Sequence, residues 1–149
     1  MMLENVAAAV GKGLFVGLVG TTAMTLSQEL EMKLSGREPS YTPAALGSKL
    51  LGVEPQSEEE KAHFSSIVHW SLGTVWGTAR ELIGLGGLQG LAAVATHLAL
   101  MWITDCTVFA LLGVAPPPWE WKVEEVALDM FHKLVYAIAV NVAYELLER

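Results

Sequence analysis

Cys106 is the only cysteine, so the chain can close no disulfide within itself and holds no CxxC pair for a metal. Charge is also scarce. Asp, Glu, Lys and Arg make up 17% of the 149 residues, while apolar residues reach 52%; an ordinary globular chain has about 25% charged residues. Mean hydropathy is accordingly positive, +0.42. The few basic residues form no cluster and do not alternate with aromatics, which excludes a nucleic-acid surface. The opening "MMLENVAAAVGKGLF" has no basic leader region and carries Glu4, so no cleaved signal peptide is expected. The net charge of −7 belongs to short polar stretches (Glu58, Glu59 and Glu60; Glu120, Glu124 and Glu125) rather than to a whole surface.

What fills the chain instead is a set of long uncharged runs. None of the residues between Lys12 and Glu29, from Phe64 to Ala79, from Leu82 to Thr104, or from Leu134 to Tyr144 is charged. A helix crosses a bilayer with about 20 mostly apolar residues. The third run reaches that length outright, and the others reach it by including polar residues near one end. The expectation is one domain, 1–149, of four spanning helices at about 12–33, 58–83, 86–112 and 123–147. A short amphipathic helix at about 42–52 is expected in the first loop. Gly36 and Pro39 stop the first helix, and Ser57 with Glu60 reads as a capping box opening the second. Trp119 and Trp121 suit a bilayer interface. A soluble bundle would need a charged stripe on every helix, and 86–112 has none.

The chain also repeats itself. One shift lays Gly13-Leu14 on Gly90-Leu91, Met24 on Met101, Gly36 on Gly113 and Pro39 on Pro116, and puts Gln28 on Asp105. A second shift lays His69 on His132 and Ser66 on Asp129. The fold class expected is therefore all-α: an integral membrane four-helix bundle built from two pseudo-symmetric helical hairpins, about 12–83 and 86–147. The segments "LQGLAAVATHLALMW", "LLGVAPPPWEW" and "VEEVALDMFHKLVYAIAVNVAYELLER" resemble the YagU-like family of small bacterial inner-membrane proteins. The shared residues are Gln89, Gly90 and Leu91, Gly113 with Pro116 and Pro117, and Phe131-His132 with Leu134-Val135. The resemblance implies a helical protein of the bacterial inner membrane and supplies no chemistry.

The polar residues inside the runs are the candidate site. Gln28, His69, Asp105 and His132 fall toward the membrane face bearing the 34–57 and 114–122 loops, with the two imidazoles about 9 Å deep. Asp129 and His132, three apart, share one helix face, so both can turn inward to meet the others, with His97 nearer mid-membrane. Lys133 lies off that face and is expected to snorkel to the surface; Arg80 and Glu81 read as interfacial, although Arg80 shares the packed face of its helix and can pair with Glu145. The pairs Gly13/Gly17 and Gly73/Gly77 are small-residue faces for close helix packing.

Three functions remain open for a polar cluster Gln28, His69, His97, Asp105, Asp129 and His132. In the first it hydrogen-bonds internally and sets helix register in a structural or accessory membrane protein, with no enzyme activity and no cofactor. The second is proton or small-solute transport, or pH sensing, using the titratable histidines. In the third, His69 and His132 with Asp105 or Asp129 ligate a metal, or the two imidazoles hold a haem. The lipid bilayer is the partner in each, and a homo-oligomer or a membrane-protein partner is compatible with all. Lys33, Arg37, Lys49, Lys61 and Lys122 in the loops favour a cytoplasmic loop face over Lys12, Arg80 and Arg149 opposite. The resemblance favours cytoplasmic termini, and that is the orientation expected.

Overall fold

The structure, a computed structural model, describes residues 2–148 and the side chains of 6–148. Five α-helices account for nearly all of it: α1 (Met2–Ser35), α2 (Thr42–Leu51), α3 (Glu58–Leu85), α4 (Gly90–Leu111) and α5 (Val123–Leu147), with a single 3₁₀ turn at Pro118–Glu120. No strand occurs among the described residues. Three helical segments, Val6–Ser35, Gly90–Leu111 and Val123–Leu147, are long and apolar enough to cross a membrane. The 28 residues of α3 give a helix about 42 Å long. Length therefore does not bar it; the serines, His69, Arg80 and Glu81 along it lower its apolar content.

Local chemistry sets the helix ends. The Ser57 hydroxyl accepts from the Glu60 amide at 3.2 Å, and Glu58, Glu59 and Glu60 place negative charge on the first turn of α3, where the helix dipole is positive. Gly36, at φ 72°, takes the left-handed turn that ends α1 and returns its amide to the Met32 carbonyl at 2.9 Å. Pro43 sits in the first turn of α2, where its missing amide costs nothing.

The long helices pack in a closed sequence: α1 lies against α3 and α5, and α4 lies against α5 and, more lightly, α3. Sequential neighbours run antiparallel, so one end carries the loops 36–57 and 112–122 (the loop end) and the other the 86–89 link (the link end). The tightest crossing is α1 on α3. A Cβ at Gly13 would come within 2.7 Å of the Thr78 Cα, and one at Gly17 within 2.8 Å of the Thr74 carbonyl carbon. One at Gly77 would meet the Gly17 backbone, and one at Gly73 would meet the Thr21 side chain. Such glycines let two backbones touch where lipid provides no hydrophobic drive. The halves are not equivalent in these contacts, because α1 crosses two helices closely while α4 rests mainly on α5. Val16, Met24, Met101, Tyr136, Val140 and Tyr144 form the apolar centre.

Candidate functional site

Polar side chains occupy the interior in three levels. At the loop end, Thr25 and Ser27 of α1 lie two residues apart, hence about 200° apart around the helix, and each takes one imidazole. The Thr25 hydroxyl donates to the Thr21 carbonyl at 2.7 Å, so its oxygen accepts from His69 Nε2, 3.0 Å away on α3. The Ser27 hydroxyl donates to the Met24 carbonyl at 2.8 Å, so its oxygen accepts from His132 Nδ1, also 2.8 Å away on α5. The network thereby selects the tautomer of each ring. His132 Nε2 is left facing Glu31 Oε2 at 3.8 Å, and the same carboxylate holds Arg37 at 2.5 Å.

The second loop-end group ties α4 to α5. Lys133 Nζ lies 2.6 Å from Asp129 Oδ1 and 3.3 Å from Asp105 Oδ2. Lys133 is buried, in contrast to the snorkelling expected of it, because Asp129 one turn earlier and Asp105 on the neighbouring helix both pair with its ammonium. Asp129 accordingly turns to its own i+4 lysine and not to an imidazole.

At mid-depth His97 is fully buried, with Nε2 donating to the Trp76 carbonyl at 3.1 Å and its ring 5.6 Å from that of Tyr136. Tyr136 donates to the Gly73 carbonyl at 2.5 Å. Met101, one turn from both His97 and Asp105, fills the space between the levels.

The link end holds the third level, a polar group centred on α3 and α5. Arg80, expected to be interfacial or to pair with Glu145 from the packed face, is fully buried, and Glu81 nearly so. Arg80 Nε donates to Asn141 Oδ1 at 3.0 Å, and Asn141 Nδ2 donates to Glu145 Oε1 at 3.0 Å. The guanidinium lies 3.8 Å above the centre of the Tyr144 ring. Lys12 pairs with Glu148 and lies 3.6 Å from Glu81. Arg80 and Asn141 were missed as a pair although one signal existed: both are polar in the middle of helical apolar faces.

The expected cluster is thus divided. His69 and His132 come to the same level but on different sides of α1. Asp105 and Asp129 meet at Lys133, His97 stands apart, and half-buried Gln28 joins none of these groups through its side chain. Among the described residues no three of His, Cys, Asp and Glu converge as metal ligands. No family model, curated protein or solved structure matches the chain.

Proposed function

We propose that the chain is a small multi-pass membrane protein of structural or accessory type, whose α1, α3, α4 and α5 form a four-helix bundle of two hairpins. The observation carrying this reading is reversed polarity. Arg80, His97, His132, Lys133 and Asn141 are buried, while Phe15, Leu26, Ile67, Ile103 and Phe131 are each more than half exposed. Water would favour the opposite arrangement, whereas acyl chains cover apolar side chains without cost and force polar ones inward. In this reading each helix contributes a polar contact to a neighbour: Thr25 and Ser27 from α1, Arg80 from α3, Asp105 from α4, Lys133 and Asn141 from α5. Interhelical polar pairs in membranes are worth about 0.6 kcal/mol on average, enough to select a register without any chemistry. The YagU-like resemblance supports a bacterial inner membrane with cytoplasmic termini, which would put the loop end in the periplasm.

Membrane fractionation with an alkaline wash tests the placement, and release of the chain into the wash overturns it. Vesicle assays then test the accessory role. Substitution of His69 or His132 should lower thermal stability while reconstituted protein passes neither protons nor small solutes.

One observation favours a second reading, proton or solute movement. Polar groups on α5 recur from Asp129 through His132, Lys133, Tyr136 and Asn141 to Glu145, about 24 Å of helix. A proton flux that vanishes in His97→Ala would establish that reading in place of the first.

A further inference from the structure

Arg80 is a buried cation with unused donors. It is fully buried, and both Nη1 and Nη2 lack a hydrogen-bond partner among the described residues. Only Nε is engaged, by Asn141. Of the neighbouring acids, Glu145 accepts from the Gly90 amide and Asn141, and Lys12 sits between Glu148 and Glu81, whose buried Oε1 likewise makes no hydrogen bond. A charge inside a membrane helix persists only with compensation, and arginine cannot shed its proton to escape that requirement.

The surroundings indicate what supplies the compensation. Arg80 lies about 8 Å from the end of α3 at Leu85, the depth at which a helix approaches the headgroup region. Tyr144 stacks under the guanidinium, and its hydroxyl and Arg80 Nη1 both lie against Gly84. A Cβ at Gly84 would lie 3.2 Å from Nη1 and 3.0 Å from the Tyr144 Cζ, so only glycine leaves the pair undisturbed. Lys12 Nζ faces the same ring at 5.3 Å.

We infer that Arg80, with the Tyr144 hydroxyl beside it, binds a phosphate oxyanion at the link end of the helices. The two free nitrogens form a planar fork whose spacing matches two oxygens of one phosphate, a geometry that a lysine cannot reproduce. The phosphate belongs either to a lipid headgroup of the adjoining leaflet or to a free anion. The Tyr144 ring lies over the guanidinium and both terminal nitrogens are buried, so occupancy requires the ring to shift locally. The inference rests on the membrane reading only for the depth of the lipid phosphate; the alkaline-wash result judges that reading separately.

The test is thermal unfolding of the detergent-purified full chain, titrated in turn with phosphatidylglycerol, with diacylglycerol lacking phosphate, and with inorganic phosphate. A saturable rise in midpoint with phosphatidylglycerol and none with diacylglycerol is expected. The same rise with inorganic phosphate assigns the site to a free anion, and its absence assigns it to the headgroup. Arg80→Gln should abolish the response and Arg80→Lys should weaken it at least about tenfold. Tyr144→Phe, which keeps the ring and packing, should weaken it about three- to tenfold and remains informative if the arginine variants fail to fold. The inference is overturned by no saturable response to either phosphate source, by an equal response to diacylglycerol, or by an undiminished response in Tyr144→Phe and Arg80→Gln.

Discussion

Gly77→Ala is the most exacting perturbation of the helix packing. The added methyl would meet the Gly13 carbonyl oxygen and the Gly17 amide and Cα. All three belong to backbone, so no side-chain rotation can relieve the contact. Non-bonded carbons settle at about 3.5–4.0 Å, and α1 and α3 would therefore have to part by more than about 1 Å along their tightest crossing. Overpacking of this kind costs about 1–3 kcal/mol, and a wholly backbone obstruction belongs at the upper end. The better helix propensity of alanine returns about 1 kcal/mol, leaving a net loss of about 2 kcal/mol. For a chain of this size that lowers the midpoint by about 4–8 °C. Gly11 is the internal control: it lies on α1, the helix that Gly77 of α3 packs against, but a Cβ there meets nothing within 4 Å. Gly11→Ala should be neutral or raise the midpoint by about 2–4 °C. Circular dichroism melts of the two variants and the parent in one detergent provide the comparison. A Gly77→Ala protein that melts at the parental midpoint, or a Gly11→Ala protein that falls as far, refutes the close-crossing argument.

Three further outcomes follow from the polar contacts. Lys133→Ala leaves Asp105 and Asp129 facing each other without their shared cation and should lose about 3–5 kcal/mol, part of which returns in Lys133→Ala combined with Asp129→Asn; equal melts for the single and double variants would contradict this. His132→Ala and Ser27→Ala should each cost about 0.6 kcal/mol and be non-additive, while His132→Ala and Thr25→Ala should add, because Thr25 serves His69; a double-mutant cycle in thermal unfolding reads both. The Cys106 thiol, buried on α4, should react with a membrane-permeant maleimide only after denaturation, and prompt labelling of the folded protein would show α4 placed otherwise.

Much of the helical content was legible because apolar runs and stop signals are local. The glycines at 36 and 113 and the Ser57/Glu60 pair each act within a few residues of themselves, whereas the uncharged run from Leu82 to Thr104 is divided between the end of α3, the 86–89 link and α4. The partners of the polar residues were not legible, for two reasons. Serine and threonine bond back to their own helix, as Thr25 and Ser27 do, so nothing in the sequence marks them as receivers for histidines on other helices. The direction of a side chain such as Lys133 or Arg80 also depends on which helix lies beside it. Reckoning from helix ends sends Lys133 to the surface; the position of Asp105 across the α4–α5 contact draws it inward instead. The repeat suggested that His69 and His132 play equal parts, yet α1 stands between them and gives each a different hydroxyl.

The central claim is that the apolar outside of these helices faces acyl chains. Spin labels attached singly through Leu18→Cys, Ile67→Cys, Ile103→Cys and Ile138→Cys, in a Cys106→Ser background and reconstituted in bilayers, test it most directly. Relaxation by oxygen should exceed relaxation by a water-soluble paramagnetic complex at all four positions, which lie on four different helices. Stronger relaxation by the water-soluble complex at Leu18, Ile103 and Ile138 would contradict it.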